Sequence, residues 1–452
     1  MADKTKPKTS KPPGVEVFFD GRDSGYFLQV KGRFLKLGAR DVRMHLRTMG
    51  LREDYCPTEW KAPGLREIDF PLWRAQMDRL VDYAGPLAGH RTGVYRNSSG
   101  RTFLVTEEPP GVWDAVPEKP KRPKWFCDFV EELLPGDQSL DFFHWMRIAL
   151  ASLRRGDFRP GQVVVFAGPS ECGKSLLQSI ITELFGGRSA NPFRYMMAES
   201  QFNADLAWGE HWQIEDPAST TDIRTRRLFG SKLKECTVNR DFSIHQKGKD
   251  ALLLPVFRRV TISVNDEPEN LSVIPPLDDS IRDKIFLFKC SPVSAALAQF
   301  KDGQDNLDRK KLWAAVCAEV PAIRAWLLNG LDKLPAALRN VRFGIKAWHH
   351  PDLLNELSNL SPESRLLTLL DEVLFEETDD APFQGKAIEI EKALRDSKFA
   401  FEADKILKYN GACGAYLSRL CKSYPERISK RLSHGYTVWT ITKPVTTEEE
   451  SE

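Results

Sequence analysis

Several features that would assign the chain to a special class are scarce or missing. The eight cysteines, at 56, 127, 172, 236, 290, 317, 413 and 421, form no CxxC pair and no Cys/His cluster at zinc spacing. That excludes a zinc module and a disulfide scaffold, and predicts reduced, mostly buried thiols. No run of about 18 apolar residues occurs, so no membrane-spanning helix is expected. The basic, Pro-rich start MADKTKPKTSKPPG lacks the apolar stretch of a secretory signal. Net charge is nearly absent: 65 Lys plus Arg against 63 Asp plus Glu leaves +2, so any affinity for a polyanion must rest on local basic patches. There is no internal repeat and no long low-complexity tract. What is present, 41% hydrophobic and 28% charged residues over 452 positions, suits a soluble intracellular protein of two or three domains.

Residues 1–13, with Lys4, Lys6, Lys8, Lys11 and little to bury, are predicted to be a flexible basic leader. From 14 to 120 the short apolar runs VEVFF, YFLQV and FLKL, separated by Gly-containing turns, suggest a small accessory α+β module. Its helices are expected near Asp41–Met49 and Leu72–Tyr83, and a strand near Thr102–Thr106. Asp20 and Asp23 in DGRDSG suit a tight turn better than a catalytic pair. The Pro-rich stretch Pro109–Pro123 marks a boundary. Beyond it, 121–345 opens with two helices between Trp125 and Leu153. It then alternates strand-like runs (Gln162–Ala167, Trp212–Ile214, Val260–Val264, Lys284–Phe288) with helical or irregular segments, the pattern of an α/β core with a largely parallel sheet. A polar linker is expected at 346–362, a further domain at 363–445, and an acidic tail at 446–452.

The strongest motif is GPSECGKS: Gly168, Pro169, Ser170, Glu171, Cys172, Gly173, Lys174 and Ser175 match GxxxxGK[ST]. It follows the apolar run VVVFA and precedes the amphipathic SLLQSIITELF, as a strand, loop and helix require. Glycines let backbone N–H groups curl around phosphates, and the helix N-terminus adds its dipole. Lys174 would neutralise phosphate charge and Ser175 would ligate Mg²⁺, so ATP and Mg²⁺ are the expected cofactors. About forty residues on, Glu215 and Asp216 end a short apolar run in HWQIEDP, where a neighbouring strand would deliver them to the metal and the attacking water. One would hold Mg²⁺ and the other act on water, Asp216 being the candidate metal ligand. Asn265 ends the apolar strand RRVTISVN and could position that water. Arg282, just before another apolar run, could reach the triphosphate of a neighbouring subunit, with Lys284 a competitor for that role.

This order, within about 120 residues, resembles the superfamily 3 helicases, AAA+-like P-loop motors of viruses, phages and mobile elements. In layout it is most similar to the phage-type primase-helicases. The resemblance implies a ring, a hexamer most simply, because an arginine finger acts on a neighbour's nucleotide. It also implies a β-hairpin gripping single-stranded DNA. The matching segment is KECTVNRDFSIHQKGKD, with strand-like CTV and FSI followed by His245, Lys247 and Lys249. Cations there would follow a phosphate backbone without reading sequence.

At the C-terminus, LLTLLDEVLF, QGKAIEIEKAL and CGAYLSRLCKSY read as three helices, and RISKRLSHGYTVWTI as a hairpin turning at Ser433–Gly435, the winged-helix pattern. Arg419 and Lys422 on the third helix, with Lys430 and Arg431 before the wing, are candidates to contact duplex DNA. The expected protein is an ATP-dependent DNA helicase or replication-initiation motor in the cytoplasm of a bacterial host, any priming activity coming from a separate primase or polymerase. A DNA-binding regulatory NTPase and a packaging or transport motor are the alternatives.

Overall fold

Short apolar runs broken at turns build the N-terminal region of the computed structural model, which describes residues 14–97, 99–217, 223–275, 277–302, 306–375, 381–433 and 435–443. The predicted leader at 1–13 and tail at 446–452 lie outside these residues. Strands β1 (Val17–Asp20), β2 (Gly25–Val30) and β3 (Arg33–Leu37) pair as an antiparallel meander. Helices α1 (Ala39–Thr48) and α2 (Phe70–Asp78) follow, and β4 (Leu80–Val81) joins β1 in parallel. A second sheet holds β5 (Tyr83–Gly85), β6 (Gly93–Arg96) and β7 (Thr102–Val105) in the order β5-β7-β6.

Two compact units divide the chain. The described residues of Met1–Pro217, Arg227–Asn265 and Ile281–Trp348 form one, and those of Ala218–Arg226, Asp266–Ser280 and His349–Glu452 the other. The N-terminal strands therefore belong with the P-loop region. Pro109–Pro123 lies against that region: Val112 is buried, and Arg154 donates to the carbonyls of Val112 and Asp114. Close approach is forced at Gly89, where an added Cβ would stand 2.3 Å from Phe257 Cβ at a φ of +82°. Beside it, buried Glu210 accepts from the Gly89 N–H at 2.8 Å and from Arg188 Nε at 2.9 Å.

After α3 (Lys124–Leu133) and α4 (Asp137–Arg155) comes β8 (Val163–Ala167), five apolar residues in succession and all buried. Such a run cannot show a face to water, so it suits the interior of a parallel sheet. The elements that follow are α5 (Lys174–Leu184), β9 (Ser189–Ala190), α6 (Phe193–Met196), β10 (His211–Glu215), α7 (Ile223–Val238), β11 (Asp241–Ile244), β12 (Leu252–Pro255), β13 (Arg259–Val264), α8 (Pro268–Leu271), β14 (Ile285–Lys289), α9 (Ala295–Ala298) and α10 (Arg309–Ala325). A five-stranded, all-parallel sheet results, in the order β14-β8-β13-β10-β9. The strand beside the P-loop strand is thus β13, and β10 with its two acids stands one further out, a correction to the expected adjacency. Aromatic residues of α3 and α4, with α5 and α10, cover the sheet in an extensive hydrophobic cluster. The first unit ends in a hairpin, β15 (Arg339–Asn340) and β16 (Gly344–Ile345).

Two further expectations need correcting. Cys236–Val238, read as strand-like, continues α7: Phe229, Leu233, Cys236 and Thr237 are all buried, and that i, i+4, i+7, i+8 spacing belongs to one helix face. The expected linker at 346–362 contains α11 (Pro351–Asn359), started by Pro351 and His350 and anchored by buried Leu353 and Leu357.

In the second unit α12 (Pro362–Leu374), β17 (Phe383–Lys386), α13 (Ala387–Arg395), α14 (Ala400–Ile406), α15 (Ala412–Ser423), β18 (Ile428–Ser433) and β19 (Tyr436–Ile441) enclose their own core. The antiparallel sheet runs β17-β19-β18, and the β18–β19 hairpin turns where the sequence places it. β17 and α14 were not read from the sequence.

Candidate nucleotide site and basic surfaces

The loop Gly168–Ser175 leaves β8 at the C-terminal edge of the sheet and enters α5. Gly168 admits no side chain, because a Cβ would meet the Cys290 carbonyl oxygen at 2.6 Å. Glu171 and Gly173 take positive φ, +61° and +116°, which curls the loop. Lys174 is 8% exposed. Its ammonium donates to the carbonyls of Gly168 and Pro169, each at 2.7 Å, and to Asn265 Oδ1 at 3.2 Å. Ser175 is exposed on the first turn of α5, alongside exposed Ser170 and Glu171.

Sheet register explains the arrangement. Val264 is opposite Ala167, so Asn265 leaves β13 level with Gly168, about 4.8 Å away across one strand spacing. Glu215 is opposite Ser263 on the far side of β13, and so stands about 10 Å from β8. Both carboxylates are exposed at the edge that carries the loop. Gln213 Nε2 donates to Glu215 Oε1 at 3.2 Å, and the Asp216 N–H to the Ser263 carbonyl at 3.1 Å. Asp216 has a φ of +39°, a left-handed conformation that costs a non-glycine residue of order 1–3 kcal/mol and turns the chain sharply at the strand end.

Residues overlooked in the sequence complete the surroundings. Cys290, one past the end of β14, donates its N–H to the Ala167 carbonyl at 2.7 Å and flanks the loop opposite Asn265. Its thiol hydrogen bond, aided by the Lys174 ammonium, lowers the Cys172 thiol to about 6 against the desolvation that opposes it. Beneath the loop, Gln178 of α5 donates to Thr261 Oγ1 at 2.8 Å, while the His211 ring lies 2.8 Å from Thr261 Oγ1 and 2.7 Å from Thr182 Oγ1. This buried chain ties the P-loop helix to β13 and β10. Burial holds His211 neutral, with its pKa lowered to about 3. Only the periodicity of polar residues on the inner faces of α5, β10 and β13 carried a sequence signal for it.

Arg282 is not brought to this loop. It lies in the turn Arg282–Lys284 before β14, at the N-terminal edge of the sheet, a strand length from Lys174. Lys284 pairs with Asp283 at 2.6 Å.

The basic tip residues follow β11. His245 is pinned to Asn203, which accepts from its N–H at 2.7 Å, and its ring lies 5.4 Å from Phe202. Lys247 is exposed; Lys249 forms an ion pair with Asp23 in the β1–β2 turn, where Arg22 also donates to the Asp250 carbonyl. In the second unit, Arg419 pairs with Glu363, Arg431 donates to Gln384 at 3.2 Å, and Lys430 stands over the Trp439 ring at 5.7 Å. Lys422 is exposed on α15.

The loop and edge residues fit a nucleoside triphosphate with Mg²⁺. Among the described residues no group of three or more His, Cys, Asp or Glu could hold a metal. Mg²⁺ needs only one or two protein oxygens beside phosphates and water, and Ser175 and an edge carboxylate are oxygens of the kind that could hold it.

No family model and no curated protein matches the chain. Among solved structures, the NrS-1 C-terminal region in its A form apo structure superposes with a TM-score of 0.54 at 13% identity, over 95% of this chain and 97% of that one. A second apo structure of that region, 305–718, gives 0.54 at 14% identity over 95% and 96%. The JCV helicase gives 0.28 at 14% identity over 53% and 60%, too low a score to bear on the fold. The likeness to the NrS-1 region shows a shared fold, a mixed α/β architecture around a parallel sheet. No helix among the described residues is long and apolar enough to cross a membrane.

Proposed function

We propose that the chain is an ATP-dependent DNA helicase or replication-initiation motor of the superfamily 3 type, working as a ring, most simply a homo-hexamer. The observation that carries this reading is the meeting of Lys174 with Asn265 at the sheet edge where Ser175, Glu215 and Asp216 are also exposed. Bound ATP supplies the phosphoanhydride bond whose hydrolysis drives the motor. Lys174 and the loop N–H groups would hold its phosphates, exchanging the carbonyl partners of the ammonium for phosphate oxygens. Ser175 and Asp216 would hold Mg²⁺, Glu215 would take the proton of the attacking water, and Asn265 would orient that water.

Arg282, remote from its own loop, suits a finger presented to a neighbouring subunit. The hairpin tip with His245, Lys247 and Lys249 would contact single-stranded DNA. The order α12-β17-α13-α15-β18-β19 in the second unit, with α14 between α13 and α15, supports reading it as a winged helix whose Lys422, Lys430, Arg431 and Arg419 would meet duplex DNA.

The decisive experiment is ATP hydrolysis by Lys174→Ala with no DNA, single-stranded DNA or duplex, beside unwinding of a forked duplex. Loss of hydrolysis in the variant with DNA-stimulated hydrolysis and unwinding in the wild type is expected. Undiminished hydrolysis by the variant overturns the site assignment, and hydrolysis without unwinding overturns the motor.

A further inference from the structure

A cleft of about 460 Å³ in the first unit is ringed by Arg147, Arg155, Arg159, Lys333 and Arg339 over an apolar floor that includes Ile148 and Leu334. Among the described residues, one of the five cations has a carboxylate partner, Asp157, 3.0 Å from Arg155 Nε. Arg147 is held by backbone, donating to the Leu331 and Asp332 carbonyls at 3.2 and 2.7 Å. Lys333 and Arg339 are exposed at the rim. A cleft lined by charge of one sign concentrates its field and draws in anions.

The position of the cleft separates it from the nucleotide site. Gln162, the residue before β8, donates to the Ile345 carbonyl at 3.0 Å, which ties the β15–β16 hairpin under the N-terminal end of that strand. Arg259, the first residue of β13, donates to the Arg159 carbonyl at 3.1 Å. The cleft therefore lies at the edge of the sheet opposite the P-loop. It shares that edge with the start of β13, into which the β11–β12 hairpin feeds. Arg339 belongs to the cleft-side hairpin, whose tip residue Val341 is fully exposed.

We propose that this cleft binds the phosphodiester backbone of nucleic acid, as a contact distinct from both the P-loop and the β11–β12 tip. The proposal rests on reading the chain as a nucleic-acid motor. Several cations spread around an open cleft suit a chain of phosphates better than one enclosed anion. Four of the five are guanidinium groups, whose fork matches phosphate oxygens, and the aliphatic floor can receive sugar or base. An acidic protein segment is the competing occupant.

The test uses the full chain and a fluorescein-labelled thirty-nucleotide oligo(dT), with anisotropy titrations across a range of salt. Lys333→Glu/Arg339→Glu is expected to weaken binding about tenfold or more and to reduce the salt slope by about 1.4, roughly 0.7 for each lost phosphate contact. Basal ATP hydrolysis and the melting temperature should stay at wild-type values, and Lys333→Arg/Arg339→Lys should retain affinity. Should the charge-reversed protein melt early, Arg155→Gln/Arg159→Gln on the opposite wall serves as the second variant. Affinity and slope equal to wild type overturn the inference while leaving the motor reading intact. Loss of polyglutamate binding with DNA binding unchanged assigns the cleft to an acidic protein and also overturns it. A wild type that binds no DNA at all removes the motor reading itself, and the cleft proposal with it.

Discussion

The Lys174 ammonium and the Asn265 side-chain oxygen, 91 positions apart in the chain, stand 3.2 Å from one another across the end of the parallel sheet. The contact exists because β13 is the direct neighbour of β8, so the first residue past β13 is level with the first residue of the loop. A polar amide at that place can follow what the lysine binds.

Asn265→Ala should therefore separate binding from turnover. Steady-state ATP hydrolysis is expected to fall about 100-fold, in the range for removal of one oriented polar group, while affinity for a fluorescent nucleotide stays within about threefold. Weakened binding with kcat unchanged would mean that Asn265 only holds the lysine in place.

The ion pair between Asp23 and Lys249 screens a cation proposed to contact DNA. The Asp23 carboxyl is held below its usual range chiefly by that lysine. Asp23→Asn is expected to tighten binding of single-stranded DNA roughly threefold at low salt, an effect that fades at high salt. In Asp23→Asn/Lys249→Ala the gain should vanish. A gain that persists in the double variant would place its origin elsewhere.

Half-buried Arg188 and fully buried Glu210 form an ion pair that joins the N-terminal region to the P-loop region through Gly89. Burial pushes the Glu210 carboxyl up, against the opposing pull of Arg188. Arg188→Met, which strands the acid, is expected to cost about 3–5 kcal/mol in urea unfolding, and Arg188→Met/Glu210→Leu to recover most of it. A double variant as unstable as the single would show that the loss is one of shape rather than charge.

Acid should destabilise the fold through its buried histidines. Burial lowers His90 and His144 to about 4 and His211 to about 3. Below pH 6.5 the unfolded chain takes up protons that the folded chain refuses, so stability falls as pH drops from about 6.5 toward 4. Each histidine contributes up to about 1.4 kcal/mol per pH unit. His144 Nδ1 is buried with no hydrogen-bond partner among the described residues. His144→Phe should thus flatten the fall by one proton's share, measured by unfolding at pH 7, 6 and 5. A slope identical to wild type would mean that His144 protonates freely in the fold.

Local signals were legible where neighbours in sequence settle the conformation. The run VVVFA, its glycine-bearing loop and the amphipathic α5 are contiguous, and so is the β18–β19 hairpin around Gly435, whose φ is +81°. Cys236–Val238 misled because Thr and Val favour strands in isolation, whereas the buried face of α7 decides their state. α11 was overlooked although Pro351, Leu353 and Leu357 carry its start and its face. β17, four residues containing Gln384 and Gly385, is a strand only because β19 offers it an edge.

The sequence by itself determined the phosphate loop and the identities of the acids, the amide and the basic residues, because short-range spacing suffices for a strand, a turn and a helix. Tertiary structure decided the order of strands, and with it that Asn265 rather than Glu215 or Asp216 meets Lys174. It also decided that Lys249 is paired with Asp23, 226 residues away, and that Arg147 through Arg339 converge on one cleft. Those outcomes depend on which apolar faces bury one another, and that competition is settled by packing across the whole unit.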